Sequence, residues 1–301
     1  MYIAGDWGTT QLRLYLCDGA SVVDRLSGPG IGAAAESPEK IFGALAARWA
    51  AEHKGLSAHL CGMVGSRNGW VETPYVRCPA DIGALRAGLV KFESADFQVS
   101  IVPGLSCTNP LGAPDVMRGE ETQIFGALAN RPIASGERRL FALPGTHTKW
   151  VVVENGTIRH FLTSPTGELF ALLRDHSTLA RAGGEVTASS DEGFLRGVKR
   201  YAETPGASLS HLLFETRSRQ LLDGMPKAEA MSFLSGLLIG ADVAGAQSWF
   251  GEKKSHVTLI GDPKLNELYA GALAFHDIES ASLNGEDCAL NGLRALIEAK
   301  A

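Results

Sequence analysis

Residues Asp6-Trp7-Gly8-Thr9-Thr10 separate an apolar start, Met1-Tyr2-Ile3-Ala4, from the alternating run Gln11-Leu12-Arg13-Leu14-Tyr15-Leu16. A buried strand ending in an acid, a glycine turn with two hydroxyls and a strand of period two describe a tight β-hairpin. Its tip can hold phosphate: Gly8 lets the backbone approach an anion, Thr9 and Thr10 offer hydroxyl and N–H donors, and Asp6 can hold Mg²⁺ through its waters. An ordinary turn closed by an Asp side chain has the same pattern, so the pentapeptide alone does not decide. A second stretch of the same design does: Leu140-Phe141-Ala142-Leu143, then Pro144-Gly145-Thr146-His147-Thr148, then Lys149-Trp150-Val151-Val152-Val153. Two such turns, one near the start of each half of the chain, imply two related domains that close on a nucleotide from opposite sides. No Gly-x-x-x-x-Gly-Lys-Ser/Thr loop competes for that role.

The chain has 301 residues, enough for about two domains with substantial cores. A formal charge of −5 gives no reason to expect a nucleic-acid or membrane-surface partner, so a phosphate site must be built from local donors. Five scattered cysteines without a Cys-x-x-Cys pair read as reduced thiols of a cytoplasmic protein rather than as a metal site. No signal-like leader is visible, and the longest apolar stretch, 233–246, is interrupted by Asp242.

Read in order, 21–26 is a third strand leading into Ser27-Gly28-Pro29-Gly30-Ile31-Gly32-Ala33. That segment fits a relaxed dinucleotide pattern, but Pro29 lies between the glycines and the next helix starts only after Ser37-Pro38-Glu39. It reads as a loop in which Gly30 and Gly32 let the backbone approach a small substrate. The strand 58–61 enters Gly62-Met63-Val64-Gly65-Ser66-Arg67-Asn68-Gly69-Trp70, where Arg67 can fork a carboxylate and Ser66 can bond a hydroxyl beside Trp70. A solvated surface arginine is the alternative. A helix over 81–92, a strand over 98–102 and a long loop follow.

The loop ends in Pro114-Asp115-Val116-Met117-Arg118-Gly119-Glu120-Glu121-Thr122-Gln123, which opens a helix with two acids in its first turn. Such acids complement the helix dipole for ~0.3–1 kcal/mol, or one of them accepts the proton of a substrate hydroxyl as it attacks a γ-phosphorus. Glu120, Glu121 and Asp115 are the candidates. A polar connection near 131 divides domains 1–130 and 131–301. Strands over 139–144, 148–154 and 157–163 follow, with Gly145 and Thr146 as phosphate donors. Lys149 is either a point charge for an anion or an outward-facing strand residue. Helices broken at 204–206 and 223–226, a strand ending at Gly261-Asp262, and a last helix over 286–299 complete the chain.

The paired hairpins resemble those of the actin, hexokinase and Hsp70 ATPase superfamily, which implies an α/β fold of two RNase H-like domains. Each would be a mixed sheet flanked by helices, with the active site in the cleft between the domains. In that superfamily a junction like Gly261-Asp262 lies against adenosine, and Glu120, directly after Gly119, best matches the Gly-Asp arrangement of related kinases. Five motifs are more specific: Asp-Trp-Gly-Thr-Thr at 6–10, Gly-Met-Val-Gly-Ser-Arg-x-Gly-Trp at 62–70, Pro-Asp-Val-Met-Arg-Gly-Glu-Glu-Thr-Gln at 114–123, Leu-Pro-Gly-Thr-His-x-Lys-Trp-Val at 143–151, and Thr-Gly-Glu-Leu-Phe at 166–170. Together they resemble the 2-dehydro-3-deoxygalactonokinase family. That resemblance implies ATP- and Mg²⁺-dependent phosphorylation of the 6-hydroxyl of 2-dehydro-3-deoxygalactonate, in a step of galactonate breakdown, with 1–130 taking the sugar acid and 131–301 the nucleotide. The gluconate-derived epimer, a homodimer and the range of phosphate donors stay open. So do two readings of other classes, a non-catalytic actin-like nucleotide module and a nicotinamide dehydrogenase using 28–33.

Overall fold

The computed structural model of the protein describes residues 1–132, 134, 136–180, 190–250 and 256–298. Strands β1 (Tyr2–Trp7), β2 (Gln11–Asp18) and β3 (Ser21–Pro29) form an antiparallel meander. Helix α1 (Pro38–Glu52) then returns the chain to strand β4 (Ser57–Gly62), which pairs parallel with β1. Such a parallel return requires a crossover element. Next come β5 (Tyr75–Arg77), α2 (Ile82–Ala87), β6 (Val90–Ser94), β7 (Phe97–Ile101), β8 (Gly104–Thr108), β9 (Pro114–Met117) and α3 (Glu120–Asn130).

Two sequence expectations fail in this stretch. The helix over 81–92 ends at Ala87, because Asp81 caps a short helix by accepting the Ala84 N–H at 2.8 Å and Gly88 stops it. From Val90 the pattern Val-Lys-Phe-Glu has period two, and it forms edge strand β6 against β7. The long loop after 102 is partly strand as well: β8 pairs with β5 and β9 in a small three-stranded sheet.

The remaining elements are β10 (Arg138–Leu143), β11 (Thr148–Glu154), β12 (Thr157–Ser164), α4 (Thr166–His176), α5 (Asp191–Ala202), α6 (Leu209–Leu222), α7 (Lys227–Phe250), β13 (Val257–Gly261), α8 (Pro263–Phe275), β14 (Ser280–Asn284) and α9 (Gly285–Glu298). One six-stranded sheet has the order β3-β2-β1-β4-β7-β6, and a five-stranded sheet has the order β12-β11-β10-β13-β14. Apart from the added edge β6, both follow one plan: third, second, first, fourth, fifth. In both, the first strand pairs parallel with the fourth. The chain divides into two compact units, 1–138 with 151–161 and 283–301, and 139–150 with 162–282.

The first unit's main core is set by periodicity. Leu12, Leu14 and Leu16 of β2 alternate inward and meet Phe42 and Trp49 of α1. Each large side chain so buried is worth about 1.5–3 kcal/mol. In the second unit, α7 is the one helix among the described residues long and apolar enough to cross a membrane, by length and composition only. It is instead largely buried against α5, α6 and α8. A glycine of α7 serves that packing: a Cβ on Gly236 would lie 2.1 Å from the Phe194 carbonyl of α5.

Candidate active site

Strands β1 and β4 end side by side, with Trp7 paired to Gly62. The start of α3 meets them there, since a Cβ on Gly119 would lie 3.3 Å from Gly62 Cα. Gly119 has φ +105° and Gly62 φ +91°, values that disfavour any side chain. This junction groups Asp6, Glu120 and Glu121 electrostatically, joined by Glu286 from the first turn of α9. Burial pushes the Asp6 carboxyl up to about 6; Arg13 opposes the shift, and Glu286 and Glu120 add to it. Arg13 bridges the group, with Nη1 3.9 Å from Asp6 Oδ2 and Nε 2.7 Å from Glu286 Oε1.

The three catalytic candidates have different surroundings. Glu121 is fully buried: both its oxygens accept the Gly119 N–H, at 2.9 and 2.7 Å, and Oε1 also accepts Thr122 Oγ1 at 3.0 Å. Burial, and then the charge of Glu120, push its carboxyl up to about 8. Glu121 therefore caps its own helix. Glu120 is half-buried and accepts the Arg118 N–H at 3.0 Å through Oε2. Asp115 lies in β9 opposite Cys107, where it accepts the Val116 N–H at 2.8 Å and Asn109 Nδ2 at 3.3 Å, tying down the β8–β9 hairpin.

The Glu121 environment has a measurable consequence. An unfolded-state glutamate releases its proton near the ordinary 4.5, whereas the folded one holds it to about 8. Between those values the folded state binds the extra proton, so this group's contribution to stability falls as pH rises through the window. Glu121→Gln is expected to give a flatter melting-temperature profile between pH 5 and pH 8.5 than wild type. Parallel thermal-melt profiles would show that Glu121 titrates normally.

At the first hairpin, the Gly8 N–H donates to Gln11 O at 3.0 Å. The segment after β3 lies flat on the tip: Gly30 N–H donates to Thr10 O at 3.1 Å, Ile31 N–H to Gly8 O at 3.0 Å, and Gly32 N–H to Thr9 O at 2.8 Å. A Cβ on Gly30 would lie 2.4 Å from Gln11 N, so the close approach that requires glycine is to the hairpin's own backbone. The tip carbonyls are thus engaged, while the N–H groups of exposed Thr9 and Thr10 meet no backbone acceptor among the described residues. No helix starts at 28–33, since Gly28 and Pro29 complete β3, and the dinucleotide pattern has no structural counterpart here.

The 62–73 loop folds on itself: Trp70 N–H donates to Val64 O at 2.8 Å and Thr73 N–H to Gly65 O at 2.9 Å. Arg118 holds it from below, donating Nη2 to Thr73 O at 2.9 Å and Nη1 to Thr73 Oγ1, with its guanidinium 4.5 Å from the Tyr75 ring centre. Arg67 stands exposed at the tip, while Ser66 Oγ is buried with no hydrogen-bond partner among the described residues. The Trp70 ring is half-buried. It joins the core, 5.3 Å from the Phe42 ring and 5.2 Å from that of Phe92.

In the second unit, Gly145 and Thr146 form the tip between β10 and β11. Helix α4 abuts it: Glu168 N–H donates to Thr146 O at 2.9 Å, and His147 Nε2 lies 2.8 Å from Glu168 Oε2. Lys149 does not point outward; it is buried, and Nζ donates to His147 O at 2.9 Å. Gly261 sits where a Cβ would approach Pro144 O at 3.2 Å, and Asp262 caps α8 by accepting the Lys264 N–H at 2.9 Å and the Leu265 N–H at 3.2 Å. Sequence reasoning passed over Arg13, Arg118, Glu286 and Asp242. Of these only Asp242 carried a signal, as a lone acid inside an apolar helix.

A repeated sheet of one strand order, each copy entered by a Gly-Thr hairpin, defines the actin-like ATPase class of α/β fold. The activator of the 2-hydroxyisocaproyl-CoA dehydratase from Clostridium difficile, solved with bound ADPNP, shares that fold at TM-score 0.51 and 13% identity, over 99% of this chain and 94% of its own. Residues 6–296 match the family model described as 2-keto-3-deoxy-galactonokinase. The Rhizobium meliloti (strain 1021) protein named "Probable 2-dehydro-3-deoxygalactonokinase DgoK1" is 36% identical over 99% of this chain and 97% of its own. The Escherichia coli (strain K12) 2-dehydro-3-deoxygalactonokinase is 34% identical over 100% and 98%. A Sinorhizobium meliloti protein whose crystal structure bears the same kinase name superposes at TM-score 0.89, with 33% identity over 98% of both chains. This chain belongs to the 2-keto-3-deoxy-galactonokinase family.

Proposed function

We propose that the protein transfers the γ-phosphoryl group of ATP to the 6-hydroxyl of 2-dehydro-3-deoxy-D-galactonate, a reaction of galactonate catabolism. Membership of the family over 6–296 supports the reaction. The observation that carries the site is the junction of β1, β4 and α3, where a half-buried Glu120 stands in one electrostatic group with Asp6 beside a hairpin tip whose Thr9 and Thr10 N–H groups meet no backbone acceptor among the described residues.

In this reading Glu120 accepts the hydroxyl proton as the sugar oxygen attacks the γ-phosphorus and ADP leaves. Phosphoryl transfer needs positioning and charge neutralisation more than covalent chemistry. In the first unit, the N–H groups of Thr9 and Thr10 take phosphate oxygens; in the second, the Gly145–Thr146 tip does so, and the Gly261-Asp262 junction supports adenosine. When bound with ATP, Mg²⁺ would supply positive charge to offset the negative charge of the phosphates. The surplus of carboxylates around Asp6 fits a divalent cation, whereas among the described residues no three His, Cys, Asp or Glu side chains converge as a full ligand set. Asp6 would therefore hold the ion through water, as Mg²⁺ sites commonly do.

Arg67 is the carboxylate partner and Ser66 Oγ a hydroxyl partner of the sugar acid. The orphaned Ser66 Oγ supports this, because a buried hydroxyl without a partner is costly unless a ligand supplies one. Arg67→Ala is expected to raise the KM for the acid about tenfold or more with kcat little changed. An unchanged KM would remove Arg67 from the site. The test of the whole reading is a coupled ADP-release assay across the two C4-epimeric 2-dehydro-3-deoxy acids. Higher kcat/KM on the galactonate-derived acid is expected, and preference for its epimer, or turnover of neither, would overturn the assignment.

A further inference from the structure

We propose that Asp242 is a positioning residue for nucleotide phosphate, locking both flanks of the 145–148 turn through a one-directional chain of hydroxyls; this rests on the reading of that turn as a phosphate site. An acid in the middle of an apolar helix is expensive to bury unless donors surround it. Asp242 has them: Oδ1 accepts Trp150 Nε1 at 2.9 Å, and Oδ2 accepts Thr166 Oγ1 at 2.8 Å and Tyr269 OH at 2.6 Å. Because Tyr269 gives its proton to Asp242, it can only accept from Thr148 Oγ1, 2.8 Å away. By the same logic Thr166 accepts from Ser164 Oγ at 2.7 Å. A single carboxylate thereby orients the hydroxyls of Tyr269, Thr166, Thr148 and Ser164.

Those groups sit on the two sides of the turn. Thr148 and Trp150 begin the strand that leaves it, whereas Ser164 and Thr166 flank the start of α4. Gly167 of α4 lies directly against the turn, where a Cβ would be 2.3 Å from Gly145 O, and Glu168 N–H holds Thr146 O at 2.9 Å. The network therefore fixes strand and helix to each other and leaves the tip between them little freedom. Donors held in place before a phosphate arrives bind it without paying for their own ordering.

The test is calorimetric titration of Asp242→Asn and Tyr269→Phe with Mg-ATP and, separately, with adenosine. Asparagine places an amide donor where Tyr269 and Thr166 already donate, and phenylalanine cuts the link to Thr148 while keeping the carboxylate. We expect Asp242→Asn to raise the Kd for Mg-ATP about tenfold and Tyr269→Phe about threefold, with the Kd for adenosine and the KM for the sugar acid unchanged. Equal losses for adenosine and Mg-ATP, or no loss for Mg-ATP, would overturn the proposal. If Asp242→Asn does not fold, Tyr269→Phe and Thr148→Val decide by the same comparison. A wild-type protein that binds Mg-ATP with this pattern yet phosphorylates no sugar acid would sink the proposed reaction and leave the role of Asp242 standing; one that binds no Mg-ATP overturns both.

Discussion

Glu120→Gln is expected to lower kcat by about 100-fold or more while leaving the Kd for Mg-ATP close to wild type. The substitution removes a proton acceptor and keeps the side chain's size and its Oε acceptor for the Arg118 N–H, seen at 3.0 Å. It also deletes a negative charge that raises the carboxyls of Asp6 and Glu121, so both should ionise at lower pH in the variant. Steady-state turnover with the sugar acid, and calorimetric titration with ATP alone, separate the two effects. Glu121→Gln is the internal comparison: with its oxygens bonded to the Gly119 N–H and Thr122, it should lose far less kcat than Glu120→Gln. Wild-type turnover in Glu120→Gln would move the base to Glu121 or Asp115.

The second large effect is on stability. Helices α3 and α9 cross so closely that a Cβ on Gly292 would lie 1.9 Å from Thr122 O, and one on Gly126 would lie 1.8 Å from Cys288 O. In each case the obstacle is backbone, which cannot swing aside as a flexible side chain would. Gly292→Val is therefore expected to destabilise the protein by about 3 kcal/mol or more, and to depress kcat as well, because the start of α3 carries Glu120. Gly43→Ala in α1, where nothing lies within 4 Å of the added carbon, should be neutral or stabilising by up to about 1 kcal/mol. Urea titrations of the two variants make the comparison. Equal stabilities would mean that α3 and α9 are not packed through their glycines.

Much of this architecture is legible in local pattern. Period-two runs such as Leu12, Leu14, Leu16 mark strands, and Pro38 after Ser37 or Asp262 before Pro263 marks a helix start, because those signals depend on residues close in sequence. Local pattern misled where two readings compete over a short span: Val90 to Ser94 continues an apparent helix until its alternation is weighed against Gly88. The glycines at 30 and 32 show a deeper limit. Their spacing suggested backbone opened to a substrate, yet what approaches them is the turn at Thr9 and Thr10.

The sequence by itself determined the two Gly-Thr hairpins, the acids at 120 and 121 after a glycine, and the family, since each is a run of neighbouring residues with its own chemistry. Long-range packing was needed to show which acid caps its helix, that Trp70 packs against the core, that Asp242 reaches Trp150, Thr166 and Tyr269, and that residues 151–161 and 283–301 join the first unit. The reason is physical: burial and hydrogen-bond partnership are set by chain segments far apart in sequence, and a side chain's role follows from which of its atoms those segments leave unsatisfied.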